Sequence, residues 1–108
     1  MEQLIQVMTA VESREDGDKI ARALLEERLA ACIQITSPVT SIYRWKGNVE
    51  TAGEMLLFIK TRKNYFSRVE QTIKKNHPYE TPEIISTEVS DASASFARWL
   101  IEQTEPVS

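Results

Sequence analysis

At 108 residues, 42% of them hydrophobic and 27% charged, the chain has the size and make-up of one globular domain spanning residues 1–108, with no room for a second. A formal net charge of −3 disfavours nucleic-acid backbones, which recruit clustered Lys and Arg, and Lys74-Lys75 is too short a run to reverse this. The longest apolar run, Met55-Leu56-Leu57-Phe58-Ile59, falls far short of the ~20 residues that a bilayer span requires, so no membrane segment is expected.

Residues 4–8 are apolar enough for a central strand, and Ser13-Arg14-Glu15-Asp16 then reads as a helix start with Ser13 as N-cap. In that helix Ile20, Ala23, Leu24 and Glu27 share a face that Ala21, Leu25 and Leu29 widen, so it should lie against a sheet, while Gly17 weakens its first turn. From Cys32 the pattern turns β-rich through Thr36, breaks at Ser37-Pro38 and resumes over residues 39–45; Pro38 implies an edge or a bulge. Lys46-Gly47-Asn48 is a hairpin turn signal, and the chain returns over residues 49–61. The hairpin is long for so small a chain and carries Tyr43 and Trp45 near its tip, so its tip should reach beyond the core of its own subunit.

Asn64 is placed to cap a second helix with Tyr65, Val69, Thr72 and Ile73 on one face; Pro78 ends it at Asn76. Residues 84–89 read as a further strand, and Ser90 or Asp91 as the cap of a last helix that turns Phe96, Ala97, Leu100 and Ile101 inward, with a frayed tail after Gln103. The order βαββαβ with a C-terminal helix belongs to the α+β class and predicts a ferredoxin-like sandwich, one antiparallel sheet with helices on one face. A domain this size buries only roughly two-thirds of its unfolded surface, so association would add stability.

Three scattered glycines exclude a glycine-rich phosphate cradle, and a single cysteine excludes an iron–sulfur cluster or a cysteine zinc site within one subunit. Cys32, flanked by Ala30, Ala31 and Ile33, is expected in the core, and a lone thiol points to the cytoplasm. Met1-Glu2-Gln3 shows no basic leader, so no signal peptide is expected. The densest chemistry is His77-Pro78-Tyr79-Glu80-Thr81-Pro82-Glu83, where two φ-locked prolines stiffen a segment holding the only histidine, a tyrosine and two carboxylates. With it go Tyr43, Trp45, Glu54 and Lys60. Lys60 could pair with Glu54 or Glu80. His77 is either a backbone-bonded imidazole or a metal contact, for which Cu(II) has the greatest affinity among the borderline divalent ions.

These residues carry a resemblance over nearly the whole chain. Arg28-Leu29-Ala30-Ala31-Cys32, Ser41-Ile42-Tyr43-Arg44-Trp45-Lys46-Gly47, Glu54 with Lys60-Thr61, and His77 through Ile84 together resemble the CutA family of divalent-cation tolerance proteins. The resemblance implies a tight, non-enzymatic homotrimer similar in plan to the PII signalling proteins, with clefts between subunits where the signature residues gather. It also implies a link to copper and other divalent ions, none needed for folding, and in the animal branch an association with acetylcholinesterase. Met8 and Asn76 stand where some copper-binding members carry a cysteine and a second histidine, which leaves His77 as the implied copper ligand. The leading expectation is a cytoplasmic trimer binding a divalent cation or a small anionic ligand at a cleft of Tyr43, Trp45, Glu54, Lys60, His77, Tyr79 and Glu80. The alternative is a PII-like signalling module, in which Lys60 neutralises a metabolite and the hairpins meet an unidentified protein target.

Overall fold

Alternation along two central strands decides the architecture. In this computed structural model, which describes residues 2–107, β1 (Leu4–Val11) pairs antiparallel with β4 (Asn48–Arg62), setting Ile5 opposite Thr61, Val7 opposite Ile59 and Thr9 opposite Leu57. Side chains alternate between faces along a strand, so these six residues share one face, and all are buried. Across that face lie α1 (Arg14–Glu26) and α2 (Phe66–Asn76), which contribute Ile20, Leu24, Val69 and Ile73 to the same core. Each such buried aliphatic side chain contributes roughly 1.5–3 kcal/mol relative to exposure. Strands β2 (Cys32–Ile35) and β5 (Ile85–Val89) flank the pair, giving the antiparallel order β2-β4-β1-β5.

Ser13 caps α1 as its side chain predicts: its oxygen accepts from the Asp16 amide at 3.1 Å while its hydroxyl donates to the Asp16 carboxylate at 2.8 Å. Gly17 has a reason to sit in that first turn. A Cβ there would meet Val11 Cγ2 and Leu57 Cδ1 at 3.3 Å, so the missing side chain lets the helix settle close to the sheet.

Several local expectations need correction. Strand β1 continues to Val11. Asn64 does not cap α2; a 3-10 turn at Lys63–Tyr65 leads into the helix without a side-chain cap, because the buried Tyr65, bonded through its hydroxyl to the Thr104 carbonyl at 2.7 Å, fixes that turn. Helix α3 (Ala94–Gln103) is capped by Ser93, whose oxygen accepts from the Phe96 amide at 3.3 Å, and not by Ser90 or Asp91. It buries Leu100 yet leaves Phe96 40% exposed. It also meets the opposite sheet face from α1 and α2, through Arg62 and the cavity lined by Gln6 and Lys60. The chain just after Gln103 is anchored at Thr104 and Glu105: Thr104 is 0% exposed, its hydroxyl accepts from Arg62 Nε at 2.8 Å, and Arg28 donates to the Glu102 and Glu105 carbonyls. Cys32 is half-buried on an outer strand.

Strand β3 (Val39–Trp45) pairs only with the first half of β4, and together they leave the main sheet as a two-stranded arm. Its tip is the two-residue turn Lys46-Gly47, with φ of 51° and 85° and Trp45 opposite Asn48, the geometry that matches strand twist. The arm stretches the molecule to 46 Å in its longest dimension and exposes Ile42, Tyr43, Trp45 and Val49.

Candidate ligand cleft

The cleft begins where α2 ends. Pro78 forces its predecessor out of the helical region, so His77 adopts φ −93° and ψ 132° and its ring turns inward. His77 Nε2 lies 2.8 Å from the Ala10 carbonyl oxygen, and the Tyr79 amide donates to Nδ1 at 3.2 Å. A carbonyl only accepts and an amide N–H only donates, so Nε2 carries the proton and the imidazole is the neutral tautomer. Burial lowers its pKa below the usual 6.5, against the opposing pulls of the Ala10 carbonyl, Asp16 and Glu54. Both nitrogens are thus engaged. The metal contact expected of His77 would require a break in one of these bonds, and the side chain serves here as a backbone bracket.

What the bracket holds is Tyr79. Its ring lies against the His77 ring at 4.6 Å between centroids, and its hydroxyl donates to Glu54 Oε2 at 2.7 Å. Burial, then the hydrogen bond and charge of Glu54, and then Glu12 push the phenol pKa well above 10, so Tyr79 remains a donor. Glu54 is only 8% exposed although it carries a carboxylate.

Between this pair, the arm from its base at Glu54 to Trp45 near its tip, and residues 80–83 opens a cavity of about 560 Å³. Tyr43, Trp45, Glu54, Tyr79 and Glu80, all singled out from the sequence, line it together. So do Glu12 and Glu83, which the sequence reading left out of the site. Glu83 could have been included, because it belongs to the proline-bounded segment; Glu12 could have been found only with β1 run to its true end. The walls carry four glutamates and no Lys, Arg or His. Lys60 is elsewhere: its ammonium donates to Gln34 Oε1 at 2.6 Å, and it lines a separate cavity of about 440 Å³ beside α3. Neither Glu54 nor Glu80 is its partner. Asn76 is spent on the Thr72 carbonyl at 2.8 Å, and Met8 is half-buried in β1. Among the described residues no group of three or more His, Cys, Asp or Glu could hold a metal ion within one protomer.

The profile of the family described as CutA1 divalent ion tolerance protein matches residues 5–103. The chain belongs to this family. Among its CutA relatives, the divalent-cation tolerance protein CutA of Thermus thermophilus is 42% identical over 98 residues, which cover 91% of this chain and 95% of that one. Protein CutA, chloroplastic, from Arabidopsis thaliana is 36% identical over 100 residues, covering 93% of this chain and 55% of its own, so the chain spans about half of that relative. The crystal structure of CutA1 from Oryza sativa superposes with a TM-score of 0.93 at 33% identity, covering 98% of this chain and 97% of that one. The family description and the name of the Thermus relative speak of tolerance of divalent ions and specify no reaction. Among the described residues no helix is long and apolar enough to cross a membrane.

Proposed function

We propose that the chain works in the cytoplasm as a non-enzymatic homotrimer of ferredoxin-like subunits that binds a divalent cation at clefts shared between subunits. One observation carries this reading: a cavity walled by four glutamates without a single basic side chain creates a negative field that suits a cation. The donors of one protomer do not converge on a compact ion. A neighbouring copy would complete the coordination, and the apolar residues left exposed on the arm argue for such a neighbour, since a lone two-stranded ribbon is marginally stable in water. Carboxylates are hard ligands that favour ions such as Mn(II) or Mg(II), whereas Cu(II), suggested by the family resemblance, finds no free imidazole. The PII-like reading needs a positive group for an anionic metabolite, and Lys60 faces the other cavity.

Light scattering should give three times the protomer mass at micromolar concentration. Calorimetric titration with Mn(II) should show binding that weakens at least tenfold in Glu54→Gln and Glu80→Gln while the mass is unchanged. A single-protomer mass, or equal Mn(II) affinity in both variants, would refute the proposal.

A further inference from the structure

We propose that the second cavity, beside α3, binds a free amino acid with an apolar side chain, its carboxylate held by Lys60 and its ammonium group by Asp91. This cavity of about 440 Å³ lies between the start of α3, the first half of β1, the end of β5 and Lys60 of β4. Its volume falls in the range of small-molecule pockets, ~300–1,000 Å³. The inference rests on neither the acidic cleft nor the arm, which contributes nothing to these walls. Ala10, in the wall of the cleft, stands four to six residues further along β1 than Leu4, Ile5 and Gln6, roughly 14–20 Å away.

Two observations point to such a ligand. The first is an open pair of opposite charges. Lys60 and Asp91 line the same cavity, yet among the described residues neither lies within 4.0 Å of an oppositely charged side chain, each other included. The Lys60 ammonium has three N–H donors and spends one of them on Gln34 Oε1 at 2.6 Å. A molecule that carries a carboxylate and an ammonium group closes the gap from both sides, each contact a charge-assisted hydrogen bond. The Gln6 amide, opposite Lys60 in the β1–β4 pairing, offers a donor to the second carboxylate oxygen. The second observation is that the rest of the wall is apolar, formed by Leu4, Val89, Phe96 and Leu100. Phe96 packs against Trp99, 5.7 Å between ring centroids, and a side chain laid on its ring and on Val89 would cover apolar surface that this face of α3 leaves in water. The two charges also discriminate: a plain carboxylate would meet Asp91, and a plain amine Lys60, as a like charge, so a ligand bearing one charge alone is disfavoured.

The test is calorimetry on the full chain near neutral pH, with L-phenylalanine and L-leucine as probes. Both should bind at millimolar concentration or below. Phenylpropionate, phenethylamine and L-serine, which each lack one of the three recognised groups, should bind at least ~tenfold more weakly, the loss expected for one hydrogen bond to a charged group or one buried apolar side chain. Asp91→Asn, at an exposed position before α3, and Lys60→Gln should each weaken phenylalanine by a similar factor, and Asp91→Asn should also narrow the gap between phenylalanine and phenylpropionate. Glu80→Gln, in the acidic cleft, should change nothing. No phenylalanine binding at millimolar concentration, phenylpropionate binding as tightly as phenylalanine, or undiminished affinity in either Asp91→Asn or Lys60→Gln would overturn the inference, and so would a loss confined to Glu80→Gln. Mn(II) binding without amino-acid binding would overturn this inference and leave the acidic cleft standing; amino-acid binding without Mn(II) binding would support it and remove the reading of that cleft.

Discussion

Acidification through the histidine range should strip stability from this fold, and the chain's only histidine makes the effect assignable. The folded imidazole of His77 has a pKa below 6.5, because it is buried and because Nδ1 must stay unprotonated to accept from the Tyr79 amide at 3.2 Å. In the unfolded chain the same group takes up a proton at about 6.5. Between those two values the unfolded state binds more protons, so stability rises with pH there and falls as pH drops. The contribution is therefore intact above about 6.5 and is lost at up to ~1.4 kcal/mol per pH unit below it, levelling once the folded imidazole also titrates. A proton on Nδ1 would face the Tyr79 N–H donor to donor, releasing the ring that orients the hydroxyl toward Glu54. Urea denaturation in steps from about pH 7.5 to about pH 5 measures the slope, and nitrogen-15 chemical shifts of the imidazole report the tautomer and midpoint. His77→Gln should flatten that window. A midpoint at or above 6.5, the Nδ1–H tautomer, or a slope that survives the substitution would refute the reasoning.

Thr9 Oγ1 is fully buried with no partner among the described residues, so Thr9→Val should raise stability by about 1 kcal/mol in urea unfolding. Thr104→Val removes the acceptor of Arg62 Nε and should cost ~1–3 kcal/mol in the same assay, because the Arg62 side chain stays buried with one donor unmet. Gly47→Val forces a β-branched residue to φ 85° and should cost ~1–2 kcal/mol, read as a lowered thermal midpoint, whereas the open space around Gly47 leaves no steric clash to add to it.

Most of what the sequence makes legible is decided within a few residues, although the equally local cap of α3 falls on Ser93 and not on the expected Ser90 or Asp91. Ser13 caps α1 through a bond to Asp16, Pro78 ends α2 at Asn76, and the arm turns where Lys46-Gly47-Asn48 signals it, although the positive φ falls on Lys46 and Gly47 while Asn48 already belongs to β4. The tail after Gln103 reads as frayed because its residues are polar; what anchors Thr104 lies 42 and 39 residues earlier, at Arg62 and Tyr65. His77 is the same case. Its residue type suggests a ligand, but its role is set by the Ala10 carbonyl 67 residues away, which no local pattern announces.

Lys60 teaches a different lesson, because its misplacement could have been avoided by arithmetic. Glu54 and Lys60 are an even number of residues apart on one strand and so share a sheet face, one condition for a pairing between them. At ~3.4 Å per residue, however, six residues separate them by about 20 Å, beyond the reach of any ion pair. Parity fixes the face and rise fixes the distance, and both conditions must hold before two strand residues are assigned to one site. The same two conditions favour Glu12 over Lys60: it follows the end of β1, where Val11 opposite Met55 brings the chain beside Glu54, so the site closes with a fourth carboxylate where an ammonium group was expected. That exchange of charge is what favours, in the proposed function, a cation over an anionic metabolite at the cleft.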